Sequence, residues 1–309
     1  MNEITGIHHV TALCGPPARN VWFYTQVLGL RLVKRTVNFD DPTSWHFYYG
    51  DRTGRPGTLI TFFPHPGFRA AVRGAREVAA THLAIPEGAL GYWSDRLQRA
   101  GLDLSGESLG NAERLSFRDP DGTRLSVTEM ETRTDSDAPD APESQVPAER
   151  AIQGIAAVTT VVNRLEDTAA FLTDTLGFRY LASAGRQAVW VAGARGAIEV
   201  VEEPSAPSPV LGVGSVHHVA WRAADDAARE RVRAAVEGKV TALTPTRDRG
   251  YFRSIYFREP GGVIFEVATD GPGFLIDEDE ATLGTALKLP PQFEPRRAEI
   301  EAALPALDG

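Results

Sequence analysis

The chain has 309 residues, 42% of them hydrophobic, enough for two domains with full cores or one large one. A formal net charge of −9 argues against broad contact with nucleic acid or an anionic membrane and leaves small molecules or protein surfaces as partners. Cys14 is the single cysteine, so neither an intrachain disulfide nor a thiolate metal cluster can form, in keeping with a reducing compartment.

The amino-terminal MNEITGIHH has neither the basic start nor the apolar run of a signal peptide, and no stretch approaches the roughly 18 apolar residues of a membrane span. A cytoplasmic location with no membrane partner is expected. Residues 7–13 alternate as a strand; Pro16 and Pro17 then lead into residues 20–28, where Val21, Tyr24, Val27 and Leu28 form a helical stripe that Gly29 ends. Residues 31–37, 45–49 and 58–63 come next as strands between Asp, Pro and Gly turns. The unit is β-α-β-β-β.

That order returns three times. A second unit holds a strand at 81–85, a helix over 90–100 closed by Gly101, and a last strand at 125–128. The acidic, proline-bearing residues 134–150 then read as a solvated linker. A third unit opens at 154–162 and carries AAFLTDTLGFRYL, which lines up with WFYTQVLGLRLV of the first. The fourth opens with SVHHVAW, has an alanine-rich helix over 223–236, and ends in SIYFREPGGVIFEVATD, matching LSFRDPDGTRLSVTEME of the second with Pro120 over Pro260. Four βαβββ modules in an α+β chain are therefore expected, two in residues 1–133 and two in residues 151–270. Residues 271–309 make an acidic tail with a helix near 296–303, which covers the fourth module, packs on its own domain or meets another subunit.

Superposed opening strands put His9, His82, Ala157 and His218 in one slot, and Ala157 shows that the strand itself does not demand histidine there. Superposed closing strands put Ser126 under Glu266, so the fourth module alone clearly has both a histidine and a carboxylate. Alternation sends His8 and His9 to opposite faces, and likewise His217 and His218. Hydrophobicity does not say which member of each pair faces inward; the lone His82, aligned with the second member, favours His9 and His218. Two neutral imidazoles and one carboxylate suit Fe(II), Mn(II) or Zn(II), and three ligands on one face leave three positions for substrate, dioxygen or water, as in non-haem Fe(II) oxygenases. The plainer alternative is hydrogen-bonded core histidines and a surface glutamate.

IHHVT, VKRT, the pair RGYF and REPGGVIFE, and the tail DEDEATLGTALKLPPQFE resemble the vicinal oxygen chelate superfamily of glyoxalases, bleomycin-resistance proteins and extradiol dioxygenases. They are most similar to its para-hydroquinone ring-cleaving dioxygenases, nearly end to end and least in the linker. The resemblance implies two tandem domains, each an incomplete curved β-barrel with outer helices, with modules one and four enclosing the metal and modules two and three enclosing none. It implies metal ligation by His9, His218 and Glu266, with Fe(II) as cofactor and Mn(II) able to replace it, and catalytic roles around them for His8, Thr11, His217, Arg249 and Tyr256. The substrates would be a small hydroquinone-type aromatic and O2. His8, His217 and Tyr256 would move protons or hydrogen-bond the bound oxygens, and Arg249 would stabilise developing negative charge.

Structural explanations stand beside these. His8 and His217 could simply bond backbone, and Arg249 could be an ion-paired loop residue. His46 and His65 have no carboxylate at ligand spacing and read as structural, and His82 with Glu199 lacks partners for a second site. Phosphate loops and nucleophile elbows are missing. Two other function classes fit the same scaffold, a metal-dependent glyoxalase or isomerase with a fourth protein ligand and a binding protein without turnover. A homo-oligomer is compatible with all three.

Overall fold

The computed structural model describes residues 3–109, 112–131, 144–194 and 196–307. The first module comprises β1 (Ile4–Cys14), α1 (Pro17–Trp22), β2 (Arg31–Asn38), β3 (Asp41–Gly50) and β4 (Leu59–Pro64), and the second β5 (Glu77–Pro86), α2 (Leu90–Arg99), β6 (Ser105–Leu109), β7 (Ala112–Arg118) and β8 (Arg124–Met130). The third has β9 (Gly154–Val162), α3 (Leu165–Ala170), β10 (Arg179–Ala184), β11 (Gln187–Val191) and β12 (Ala197–Glu202). The fourth has β13 (Val216–Ala223), α4 (Asp226–Val236), β14 (Arg247–Asp248), β15 (Arg253–Arg258) and β16 (Ile264–Thr269), and α5 (Arg297–Ala303) lies in the tail. The expected fourfold βαβββ order is present.

Each module closes by laying its first strand parallel to its last, in the pairs β1 with β4, β5 with β8, β9 with β12 and β13 with β16. The helix is what carries the chain back for such a parallel pairing. Modules then join antiparallel through their first strands, β1 to β13 and β5 to β9. The cups are thus built from modules one and four and from modules two and three. A single pairing, Val216 with Val78, ties the two cups into one open sheet.

The helix expected over 20–28 takes a different form. Pro17 starts α1 in its first turn, and the chain passes at Phe23–Val27 into a wider turn in which Leu28 N donates to Phe23 O at 3.0 Å. The third module repeats it at Phe171–Thr175, with Leu176 N to Phe171 O at 3.0 Å. Phe23, Tyr24, Phe171 and Leu172 are thereby buried against the sheets. In the fourth module Asp225 caps α4, its carboxylate accepting from Ala228 N at 2.7 Å, so the helix starts later than its alanine content suggests.

Two segments differ from the sequence reading. Residues 132–143 of the linker region lie outside the described residues, and Ser144, immediately beyond them, is packed rather than solvated. Its side chain is buried, and its carbonyl accepts from Arg96 on α2 at 2.7 Å. The tail leaves module four and crosses to module one, where Lys288 N donates to Arg35 O at 2.9 Å and Trp45 Nε1 to Pro305 O at 2.8 Å.

At that crossing Gly284 has φ +74°, and a Cβ there would sit 1.8 Å from Leu32 O. Gly284→Ala is expected to cost upward of about 1 kcal/mol in backbone strain alone. A lower melting temperature and faster proteolysis of the tail would report this, and an unchanged melt would contradict it.

Candidate metal centre

The antiparallel β1–β13 ladder is irregular at three places, once between Ile4 and Gly6 and once at each histidine pair. Ile7 faces Trp221 and His9 faces Ala220, so His8 is an extra residue; Thr11 faces His218 and Ala12 faces Val216, so His217 is another. Each histidine pair therefore contains a β-bulge, which re-aims side chains that simple alternation would send to opposite faces. As a result the imidazoles within a pair touch: His8 Nδ1 lies 2.9 Å from His9 Nδ1, and His217 Nδ1 lies 2.8 Å from His218 Nδ1.

The second histidine of each pair turns toward Glu266. His218 Nε2 is 2.8 Å and His9 Nε2 3.2 Å from Glu266 Oε2, and the two Nε2 atoms are 3.4 Å apart. All three side chains are buried, and among the described residues they form the one cluster of His, Cys, Asp or Glu with metal-ligand proximity. Glu266 Oε1 accepts from the Ser254 hydroxyl, whereas Oε2 accepts no directed hydrogen bond despite the nearby imidazoles. A six-coordinate cation with bonds of about 2.1 Å would place adjacent ligand atoms about 3 Å apart, matching these separations.

Protonation is decided by the neighbours. The Thr269 carbonyl can only accept, so His8 Nε2, 3.1 Å away, carries a proton. Burial pushes the His8 pKa down to about 3, keeping the ring neutral and its Nδ1 bare. His9 Nδ1 must then donate to His8, so that the neutral form of the His9 ring turns a lone pair on Nε2 toward Glu266. His217, pushed by burial to about 3, makes the same Nδ1 contact with His218. Burial opposes ionisation of Glu266, but the charge and N–H donation that the His9 and His218 rings supply when protonated outweigh it and hold the carboxyl well below its ordinary range. With both Nε2 atoms bare, as ligation requires, three acceptors at such separations repel one another unless a positive charge lies between them. The donor set thus fits a divalent metal.

A cavity of about 480 Å³ opens over the triad. Of the residues expected around the metal, Thr11, His217, Arg249 and Tyr256 line it, and His8 does not, both its ring nitrogens being engaged behind His9. Tyr256 is the cross-strand partner of Glu266, its ring is 5.6 Å from that of His218, and its oxygen accepts from Arg249 Nε at 3.2 Å. Burial, first, and the Glu266 carboxylate raise the Tyr256 pKa, so the phenol keeps its proton. Thr11 Oγ1 is 2.8 Å from Thr61 Oγ1, which is 3.0 Å from His46 Nε2, and His46 Nδ1 is 3.0 Å from the Tyr48 hydroxyl.

Sequence reasoning missed several of these residues. His46 and His65 both line the cavity, although neither has a carboxylate at ligand spacing. Ser254 was legible in principle, because it lies two residues before Tyr256 on the strand facing Glu266. Phe252, whose ring is 5.0 Å from that of His8 and 5.2 Å from that of His9, lay inside the RGYF motif but was given no role.

The cup of modules two and three shows what the same frame does with other residues. His82 Nδ1 is 2.7 Å from Ser126 Oγ and its Nε2 2.7 Å from Thr159 Oγ1, which donates to Glu199 Oε2 at 2.8 Å. The Arg114 guanidinium is ion-paired with Glu199 Oε1. Here the positive charge opposite the carboxylate belongs to the protein.

The sequence profile of the Glyoxalase/Bleomycin resistance protein/Dioxygenase superfamily matches residues 6–127 and 154–267. The chain is 39% identical over 303 residues to a Bacillus subtilis protein named "Putative ring-cleaving dioxygenase MhqO", covering 97% of this chain and 95% of that one. It is 33% identical over 310 residues to the "Chlorohydroquinone/hydroquinone 1,2-dioxygenase" of Sphingobium indicum, covering 96% and 95%. A crystal structure titled as a putative dioxygenase from Bacillus subtilis superposes with a TM-score of 0.94 at 38% identity, covering 100% of this chain and 99% of that one.

Two substitutions separate the cups. Ser254→Ala should weaken divalent metal binding about 10-fold, as read by competition with a chromophoric chelator, because one carboxylate oxygen loses its anchor. Arg114→Met should leave metal content unchanged but cost about 3–5 kcal/mol of stability by stranding the buried Glu199 carboxylate. Chemical denaturation measures the second, and equal stability of variant and wild type would refute it.

Proposed function

The chain belongs to the glyoxalase, bleomycin-resistance and dioxygenase superfamily, and from that premise we propose that it is an Fe(II)-dependent ring-cleaving dioxygenase acting on a para-hydroquinone-type aromatic. The observation that carries the reading is the convergence of His9, His218 and Glu266 under one cavity with three ligand atoms on a single face. The names of its relatives supply the substrate class, and a cavity of about 480 Å³ has room for a substituted single ring. Mn(II) suits the same donors.

When bound, the metal would acidify the ring hydroxyl it holds and give electrons a path from the ring to dioxygen. The side chains divide the remaining work. Phe252, Tyr48 and Phe63 wall the cavity and orient a flat ring. Tyr256, whose oxygen accepts from Arg249, retains its own proton for an oxygen atom on the substrate, and the Arg249 guanidinium meets negative charge that develops there. His217 on the cavity wall hydrogen-bonds the substrate's oxygens, its lowered pKa making it a poor store for the hydroxyl proton, while His8 orients His9 from behind. Thr11 hydrogen-bonds the far oxygen or its water. Both atoms of O2 would be added across the carbon–carbon bond beside the hydroxyl, giving an acid at the hydroxyl-bearing carbon and an aldehyde at its neighbour.

Anaerobic loading with Fe(II), followed by oxygen-electrode assays on para-hydroquinones and catechols, tests this. One O2 should be consumed per hydroquinone opened, and Glu266→Gln, which keeps the volume but removes the charge, should abolish both metal retention and uptake. Uptake with catechol alone would discard the hydroquinone assignment. Isomerisation of a thiol adduct without oxygen uptake would place the chain with the glyoxalases instead.

A further inference from the structure

Two sequence features left without a role, the lysine of VKRT on β2 and the acidic DEDE run of the tail, meet in the fold from opposite ends of the chain. Lys34 is 0% exposed. Its ammonium lies 2.6 Å from Asp277 Oδ1, is ion-paired with Glu278, and is 3.4 Å from the Phe274 carbonyl, so each of its three hydrogens has an acceptor. It also stands 4.8 Å from the centre of the Tyr251 ring. The Tyr251 hydroxyl donates to the other oxygen of Asp277 at 3.0 Å, and Gly273 N donates to the Tyr251 carbonyl at 2.8 Å.

Tyr251 belongs to the short loop that carries two cavity residues. Arg249 N donates to Phe252 O at 2.9 Å, closing a tight turn around Gly250, whose φ is +76°. From one end of that turn Arg249 reaches Tyr256, and from the other Phe252 packs on His8 and His9. Phe274 of the tail stacks beside Tyr251 at 4.8 Å and Tyr48 at 5.0 Å, so tail, loop and cavity wall form one aromatic cluster with Lys34 at its edge. Unpaired, a lysine in this position would be too costly to bury.

We propose that Lys34 is a positioning residue for the metal centre. Through Asp277, Glu278 and Tyr251 it pins the turn at residues 249–252, so that Phe252 holds the His8–His9 pair in ligating orientation and Arg249 stays against Tyr256. The proposal rests on the metal centre described above. It gives the tail a role beyond covering module one: it couples the opening module, which supplies Lys34 and His9, to the turn of the closing module.

Co(II) added to the full-length protein under anaerobic conditions is the probe, because its visible d–d bands report ligand geometry independently of turnover. Wild type must first bind one Co(II) per chain; if it binds none, the metal centre itself is wrong and this inference falls with it. With wild type loaded, Lys34→Met should weaken Co(II) binding about 10-fold, the range found when groups supporting metal ligands are removed, and should alter the d–d bands. Lys34→Arg, which keeps the charge, should recover most of both. Tyr251→Phe removes only the hydrogen bond to Asp277 and leaves the ion pairs intact, so it serves as the deciding variant should Lys34→Met fail to fold. A measurable loss of Co(II) affinity with shifted bands in Tyr251→Phe supports the proposal. Wild-type affinity and spectrum in the folded Lys34→Met protein, or in Tyr251→Phe where Lys34→Met does not fold, would overturn it while leaving the metal centre standing.

Discussion

The antiparallel contact of β1 with β13 is the constraint on which the rest of the molecule depends. It joins the first module to the last, and two of its three irregularities fall on His8 and His217. Without the extra residue in each strand, neighbouring side chains would alternate across the sheet, and the imidazoles of a pair could not meet through Nδ1. With it, one imidazole of each pair turns to Glu266 and the other stands behind it. The bulges cost ladder hydrogen bonds, and the flanking parallel pairs of β1 with β4 and β13 with β16 hold the strands in place around them.

Buried charge explains why the two cups behave differently. A carboxylate with almost no solvent contact is tolerated only beside a positive charge or several donors. In the second cup Arg114 provides that charge for Glu199, and hydroxyls of Ser126 and Thr159 satisfy both nitrogens of His82. In the first cup, among the described residues, no guanidinium is ion-paired with Glu266; Ser254 satisfies one oxygen, and the other faces the Nε2 atoms of His9 and His218. The same βαβββ frame therefore presents a self-contained ion pair at one end and a donor set suited to a cation at the other. The tail adds a second buried ion pair, Lys34 with Glu278 and the part-exposed Asp277, beside the first cup. Charge inside this protein is concentrated where geometry has to be held.

Much of this was legible in the residues. The fourfold repeat, the helix ends at Gly29 and Gly101, and the strand at Gly154–Val162 reflect local patterns that the tertiary structure had no reason to override. The choice of His9 and His218 over their neighbours came from the internal copies, with Ala157 as the control. Contacts between distant segments stayed hidden to strand patterns, and with them the places of residues such as His46, His65 and Ser254 around the site. His46 and His65 looked idle because the cavity they line is completed by the fourth module, at the far end of the chain. Trp22 carries the residue type of a core and is half exposed, lying at the end of α1 off the stripe of Val21 and Tyr24.

By itself the sequence determined the number and order of the modules and the three side chains capable of sharing a cation, because strand period, turn chemistry and donor type are properties of short stretches. Only the tertiary structure decided which strand edges join modules one and four into a cup, that bulges turn adjacent histidines toward each other, and that the acidic run of the tail meets Lys34. Those outcomes depend on which strand edges find each other across the length of the chain, and on burial making an unpaired charge too costly to leave alone.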